Sequence, residues 1–316
     1  MQHILAECER LQPDVLCFQE VLPPFMALLQ DEEKPTELMI SSNNDENASG
    51  GRNSWLARND YICSTLDPKG VVPYGVLTMV KRKHRPHFQS LDLPSRMGRR
   101  LLLTHLESMG RGVEGEEVES KGKLIEEWII GNVHLESLDS TTLRAEQLRN
   151  AGVSLSLKEE RINVVLCGDF NFCSERNYDI GDSLQSLENE VLPLALPSFQ
   201  DLWPSVKKGT KEEKEGFTFD GTRNTLIRMP RPDPQMRYDR VLWRGTGRKE
   251  QQQQQQQQKL QKFQNQAQEK LKGSMAEVAG RGWRPRDIRL VGTDPVKGGL
   301  FLSDHFGLLA TFEKEQ

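Results

Sequence analysis

A set of acid, amide and imidazole side chains stands where apolar runs end, and their types suit one kind of chemistry. Val164-Val165-Leu166-Cys167 runs into Gly168, Asp169, Phe170 and Asn171, and VLCFQE (15–20) finishes on Gln19 and Glu20. His134 lies near the end of EWIIGNVHLE (127–136), Asp239 sits in RYDRV, and Asp304 and His305 form SDH ahead of FGLL. Singly, each has an ordinary explanation: a solvated turn, a satisfied core histidine, a helix cap. Together they would be four or five unrelated accidents of one kind. Two carboxylates ~4 Å apart repel by about 4 kcal/mol at an effective dielectric near 20. A cluster such as Glu20, Asp169 and Asp304 therefore calls for a cation. Oxygen-only ligands select Mg²⁺ first, with Mn²⁺ as a substitute, rather than zinc. Such an ion keeps several waters and leans on one or two carboxylates plus a substrate phosphate, which points to hydrolysis of a phosphoester.

The elements that must hold these groups alternate. Ile4, Leu5, Cys8 and Leu11 recur at helical spacing and Pro13 ends that helix. Strands are expected at 15–20, GVLTMV (75–80), RRLLLTHLE (99–107), 127–136 and NVVLCGD, with a helix from about Thr141. In the second half, LPSFQDLW (196–203) and GFTFDGT (216–222) precede strands at MRYDRVLW (236–243), IRLVG (288–292) and GLFLSDHFGLLATFE (299–313). Strands alternating with helices argue an α/β layered domain. Residues 31–53 read as a polar loop, and 246–280, with eight consecutive glutamines, as a disordered or loosely helical insertion that cannot build a core. One domain with insertions is expected over 1–316, since no second core-sized block remains.

A formal net charge of −4 leaves any polyanion site to a local patch. Five cysteines, odd in number and without CxxC spacing, argue reduced thiols rather than a disulfide framework or a zinc site. The sequence shows neither a signal peptide nor an 18-residue apolar span, so no membrane partner is expected.

QE at 19–20, HL at 134–135, GDFN at 168–171, YDR at 238–240 and SDH at 303–305 follow one another in an order that resembles the endonuclease/exonuclease/phosphatase superfamily of Mg²⁺-dependent phosphodiesterases. That resemblance implies a two-layer β-sandwich flanked by helices. QEVLPPFMALL (19–29), LPSRMGRRLLLTHLE (93–107), VHLES (133–137) followed by RAEQL (144–148), and LSDHFGLL (302–309) are similar, more narrowly, to the 5′-tyrosyl-DNA phosphodiesterase branch. It implies repair of DNA 5′ ends carrying protein or tyrosyl adducts, and a nuclear location with the cytoplasm as an alternative. Another branch, acting on RNA, abasic DNA or a lipid head group, and a metal-dead scaffold are the competing readings.

Carried over residue by residue, the resemblance implies that Glu20 holds the metal with Asp304 nearby. Asp169 orients or deprotonates the attacking water and Asn171 places it with the phosphate. His305, oriented by Asp239, binds or protonates a phosphoryl oxygen, and His134 stabilises the developing oxyanion. HLES occurs twice, at 105–108 and 134–137. The second copy is taken as the site because Arg144-x-x-Gln147 follows it, with His105 as the alternative. Arg144, Trp203 and Thr218 are expected on the substrate rim, where an aromatic could stack on a ring or base.

Three departures from the family pattern stand out. The family begins with a strand ending in Asn, upstream of the helix that opens here at Met1, and an incomplete N-terminus or a mis-set start codon is the expected reason. Cys173 stands where the tyrosyl-DNA enzymes place an Arg, so one basic nucleic-acid contact is expected to be missing. The glutamine-rich insertion has no counterpart and serves as a spacer or a protein-binding segment. KRKHR (81–85) reads as a charged loop, with nuclear import or phosphate contact as alternatives.

Overall fold

Why NVVLCGD is apolar on consecutive residues becomes clear from what covers it. In the computed structural model, which describes residues 1–30, 54–106, 128–156, 162–173, 186–228, 234–245, 282–296 and 298–315, Val164 and Leu166 pack against helices, while Val165 and Cys167 face a second sheet. A strand covered on both faces has no use for polar alternation.

The first sheet is small. Helix α1 (Gln2–Leu11) ends where Gln12 turns left-handed at φ 47 ahead of Pro13. Strand β1 (Val15–Val21), helices α2 (Pro23–Gln30) and α3 (Trp55–Arg58), and strands β2 (Tyr61–Cys63) and β3 (Gly75–Lys81) follow. The strands pair antiparallel in the order β1-β3-β2. Phe25, Met26, Leu29, Trp55, Leu77 and Met79 fill the space between this sheet and its helices.

The larger sheet comprises β4 (His87–Asp92), β5 (Arg100–Leu106), β6 (Trp128–His134), β7 (Asn163–Asp169), β8 (Gln200–Asp201) and β11 (Asp239–Arg244), in the order β4-β5-β6-β7-β11-β8. Among the described residues only β6 and β7 run parallel, and α4 (Thr141–Ser156) lies between them in the chain as their crossover. Helices α4 and α5 (Leu192–Ala195) cover the outer face through Leu148, Leu155 and Leu192. Between the sheets lie Val80, Leu106, Trp128, Ile130, Val165, Trp243 and Ile288. Helix α6 (Leu202–Val206), the short pair β9 (Phe219–Asp220) with β10 (Gln235–Met236), and the antiparallel pair β12 (Trp283–Val291) with β13 (Gly307–Lys314) complete the chain. The architecture is the expected two-layer sandwich with helices outside.

Some boundaries differ from the sequence reading. MRYDRVLW is two strands, because Arg237 turns to reach Asp201 and Glu188 before β11 begins at Asp239. SDH lies in the loop ahead of β13, after Gly298 and Gly299 adopt positive φ. Among the described residues, β1 pairs only with β3 and β13 only with β12. All five cysteines are free thiols. No helix among the described residues is long and apolar enough to cross a membrane. The expected loop at 31–53 and the insertion at 246–280 lie outside the described residues.

Candidate active site

Strand register assembles the site. His134 ends β6, Asp169 ends β7 and Asp239 opens β11; His134 pairs with Asp169 and Asp169 with Asp239. Three functional side chains thus share one end of the sheet. Gly168 makes this possible: its φ is +133, and a Cβ there would lie 1.9 Å from the Val133 carbonyl oxygen. Beyond Asp169 the chain turns through Asn171 at φ 54. The Asn171 backbone N–H donates to Asp169 Oδ1 at 2.8 Å, and its Nδ2 donates to the Leu135 carbonyl at 3.0 Å. Asparagine tolerates that left-handed geometry, and the side chain of Asp169 closes the turn.

Glu20 arrives from the opposite sheet. A bulge between Phe18 and Val21 and a φ of 53 at Glu20 turn β1, leaving the carboxylate well exposed with Oε1 4.0 Å from His134 Nε2. His305 comes from the loop before β13, where its backbone N–H donates to Ser303 Oγ. Asp304 beside it is exposed and accepts from the same hydroxyl at 3.2 Å.

The electrostatics divide the groups. Arg99, itself buried, has Nη1 2.8 Å from His134 Nδ1. A guanidinium only donates, so Nδ1 accepts and the proton of the neutral ring sits on Nε2. That Nε2–H lies 3.5 Å from Asp169 Oδ2. Burial first, and Arg99 next, push the His134 pKa down to about 3. Burial, then Asp239 and more weakly Glu20, push the Asp169 carboxyl up to about 7 against the opposing pull of His305. For His305, burial works against charge, but Asp239 at 2.8 Å wins and the pKa rises to about 10. A neutral donor, a poised acid and a fixed cation therefore stand within one cluster.

Among the described residues no three His, Cys, Asp or Glu groups form a ready-made metal cage. A hard divalent ion does not need one, because it binds through one or two carboxylates, waters and substrate phosphate. Four carboxylates at 20, 169, 239 and 304, set against the cations of His305 and Arg99, leave a negative surplus. An all-oxygen donor set with such a surplus fits Mg²⁺ or Mn²⁺, which Glu20 and Asp304 would hold.

Several residues that the sequence reading passed over support this centre. Arg99 lay within LPSRMGRR without a role. Asn132, fully buried in the middle of β6, donates from Nδ2 to the Phe18 and Leu77 carbonyls and accepts from Gln19 Nε2 at 2.7 Å. An amide inside the apolar run WIIGNVH was the available signal. Glu136, also fully buried, accepts from Ser95 Oγ, the Arg96 N–H and Gln147 Nε2, so it fastens the 95–99 loop behind His134. Tyr74 lies with its ring centre 6.1 Å from that of His134, and the Arg99 guanidinium stands 5.2 Å from the Tyr74 ring. A cleft of about 490 Å³ opens beside His134, lined by Lys69, Tyr74, Ser95, Arg99 and Arg100 among others.

The expected rim residues turn inward. Arg144 is buried and donates to the carbonyls of Glu136 and Leu138. Trp203 is a core residue between the sheets, with Nε1 donating to the Glu212 carbonyl. Thr218 is fully buried; its Oγ1 accepts from the Asp239 N–H at 3.0 Å and its carbonyl from the Phe306 N–H. It thereby joins the two halves of the Asp239–His305 pair rather than facing a substrate. His105 pairs with Ile129, at the end of the sheet away from His134, so the structure brings the second HLES copy to Asp169. Cys173 is buried. Of KRKHR, Lys83 and His84 pair with Asp14, Arg82 with Asp60, and Lys81 donates to Gln12, so these four side chains bind the neighbouring segments at 12–14 and 59–60.

Comparison with known proteins agrees with this geometry. The family model described as Endonuclease/Exonuclease/phosphatase family matches residues 1–305, and the chain belongs to that family. It is accordingly a hydrolase of the phosphodiesterase, nuclease and phosphatase type. Among solved structures, zebrafish (D. rerio) TDP2 complexed with a single-strand DNA product aligns with a TM-score of 0.60 at 18% identity, covering 99% of this chain and 90% of that one. Truncated Caenorhabditis elegans TDP2 aligns at 0.56 and 15% identity over 98% and 89% of the two chains. The human Nocturnin catalytic domain with bound sulfate aligns at 0.51 and 14% identity over 98% and 84%. These likenesses concern the fold. No curated protein matches the chain in sequence.

Proposed function

We propose that this member of the family is a Mg²⁺-dependent phosphodiesterase that hydrolyses 5′-phosphotyrosyl bonds at DNA ends carrying protein or tyrosyl adducts. The observation that carries the hydrolytic part is the Asp169 cluster: a carboxyl raised to about 7 between the neutral Nε2–H of His134 and the imidazolium of His305. Water is the attacking group in this reading, and Asp169 is the base that orients and deprotonates it. His134 donates to an equatorial phosphoryl oxygen as charge develops there, and its neutrality keeps it a donor that does not compete for the proton of Asp169. His305, fixed by Asp239, supplies the positive charge and a proton on the phosphoryl or leaving oxygen. Glu20 and Asp304 hold the divalent ion, whose chemistry when bound is to polarise the phosphoryl group and neutralise its charge.

The finer substrate rests on the LPSRMGRR and QEVLPP stretches and on the cleft beside His134, where Lys69, Arg99 and Arg100 suit a polyanion and Tyr74 suits an aromatic ring. Such a substrate carries with it a nuclear location, or the cytoplasm as the alternative; KRKHR, tied down by Asp14 and Asp60, lends little to the import reading. The test is tyrosine release from a 5′-phosphotyrosyl oligonucleotide, with Mg²⁺ and after chelation, for the wild type and Asp169→Ala. Metal-dependent release that falls ~10²–10⁴-fold in the variant is expected. Hydrolysis of a simple phosphodiester without tyrosine release would keep the family chemistry and move the substrate to RNA, abasic DNA or a head group.

A further inference from the structure

Glu20 is the candidate metal ligand that its own surroundings hold least. Its carboxylate is 69% exposed, its backbone sits at φ 53, and its Oε1 lies 4.0 Å from His134 Nε2. An exposed carboxylate on a bulge can sample several positions, and a ligand that does so loses affinity to ordering entropy. The residues just before it are held very differently. Asn132 is fully buried between the two sheets, two positions before His134 on β6. Its Nδ2 donates to the Phe18 carbonyl at 3.2 Å on β1 and to the Leu77 carbonyl at 3.1 Å on β3. Its Oδ1 accepts from Gln19 Nε2 at 2.7 Å.

The amide orientation follows from its partners, since carbonyl oxygens can only accept and the Gln19 nitrogen can only donate. One side chain therefore binds three strands together at the point where β1 leaves its pairing with β3. The register breaks between Phe18 and Val21, and Asn132 grips the last regular residue and the one after it. A wholly buried amide with acceptors and donor all satisfied is rigid, because any rotation leaves polar groups unpaired at low dielectric.

We infer that Gln19 and Asn132 are positioning residues for the metal: their amide–amide bond fixes the bulge that presents Glu20, and so sets metal affinity without touching ion or substrate. This rests on the metal reading given under the proposed function. Partners that orient a metal ligand change affinity or activity by about 10–100-fold when removed.

The experiment is titration of the metal-free full-length chain with Mn²⁺ alone, reading free Mn²⁺ by electron paramagnetic resonance. Wild type, Glu20→Gln, Gln19→Leu and Asn132→Ser are compared, with thermal melting of each. Gln19→Leu removes the donor from a half-buried site and leaves the other Asn132 bonds in place, so it carries the test if Asn132→Ser fails to fold. The expected result is Mn²⁺ binding about 10–100-fold weaker in Gln19→Leu, with cooperative melting kept at a lowered temperature because Asn132 Oδ1 loses its donor. Turnover at saturating Mn²⁺ should return close to the wild-type value, because Asp169, His134 and His305 are untouched. Gln19→Leu binding Mn²⁺ as wild type does, while Glu20→Gln binds it more weakly, overturns this inference alone. A wild type that takes up no Mn²⁺ overturns the metal reading, and this inference with it.

Discussion

His134 and Asp169 are Cα partners in the parallel pairing of β6 and β7, and their Nε2 and Oδ2 atoms lie 3.5 Å apart. Parallel strands joined by a helical crossover carry their carboxyl ends to the same edge, so two groups 35 positions apart in sequence are neighbours by register alone. Their pKa values move in opposite directions, to about 3 and about 7. Titratable neighbours pushed apart in this way divide the labour of donor and base.

The donor half depends on Arg99. Arg99→Met removes the hydrogen bond that holds His134 Nδ1 as an acceptor and the positive charge that helps keep the ring neutral. The imidazole should then titrate at higher pH and divide between its two tautomers, visible in ¹⁵N spectra of the ring. Turnover should fall, by less than the roughly 10²–10³-fold expected when the donor itself is lost in His134→Ala. An unchanged tautomer in Arg99→Met would show that Arg99 does not set it.

The pH profile tests the other half. The base must be ionised, so kcat/KM should rise with pH through the Asp169 value of about 7. His305 must be protonated, so the rate should fall again near about 10. Asp239 raises both values, by repelling the ionised Asp169 and by pairing with the charged His305. Asp239→Asn should therefore move both limbs toward acid, the alkaline limb most, since it loses a 2.8 Å partner. A bound divalent cation favours ionised Asp169, so the acid limb should lie lower at saturating metal than at low metal. Limbs that stay in place in Asp239→Asn would remove Asp239 from the cluster.

What could be read from the sequence followed from local chemistry. The double cover of β7 wrote itself as a continuous apolar run, and the carboxyl ends of strands announced Glu20, His134 and Asp169. Asp239 and His305 were legible as motifs, although the strands around them were drawn too long, since the Arg237–Asp201 pair that breaks the first lies 36 residues apart in sequence. The direction a side chain takes was not legible. Arg144 follows the site motif at a helix start and looks outward on paper, yet the Glu136 and Leu138 carbonyls draw it in. Asn132 was hidden for the converse reason, being polar in a stretch whose neighbours argue for burial, while Arg99, between Gly98 and Arg100, gave no sign in the sequence of turning inward.

Arg144 separates a structural from a substrate role directly. Its guanidinium bonds the Glu136 and Leu138 carbonyls from a buried position; the Leu138 carbonyl also accepts from the Ser140 N–H, so Arg144→Met should leave the Glu136 carbonyl unpaired. A loss of about 1–3 kcal/mol in urea unfolding is expected for that buried acceptor left unsatisfied. KM for a phosphodiester substrate should stay within experimental error at temperatures where the variant is folded. A raised KM with unchanged stability would return Arg144 to the rim.

Gly168 sets the limit on variation at the site. Its φ of +133 lies outside the conformations of L-residues, and a Cβ would meet the Val133 carbonyl oxygen at 1.9 Å and its carbon at 2.9 Å. Backbone on the neighbouring strand cannot step aside without breaking the β6–β7 pairing that joins His134 to Asp169. Gly168→Ala should therefore fail to give the native fold, with loss of the cooperative urea transition. Gly209→Ala is the matched control: φ is +77 there, but no heavy atom lies within 4 Å of the added carbon. Only the left-handed penalty of about 1–2 kcal/mol applies to it. If Gly168→Ala unfolds no more readily than Gly209→Ala, the close approach of β7 to β6 does not hold in solution, and the register that assembles the site falls with it.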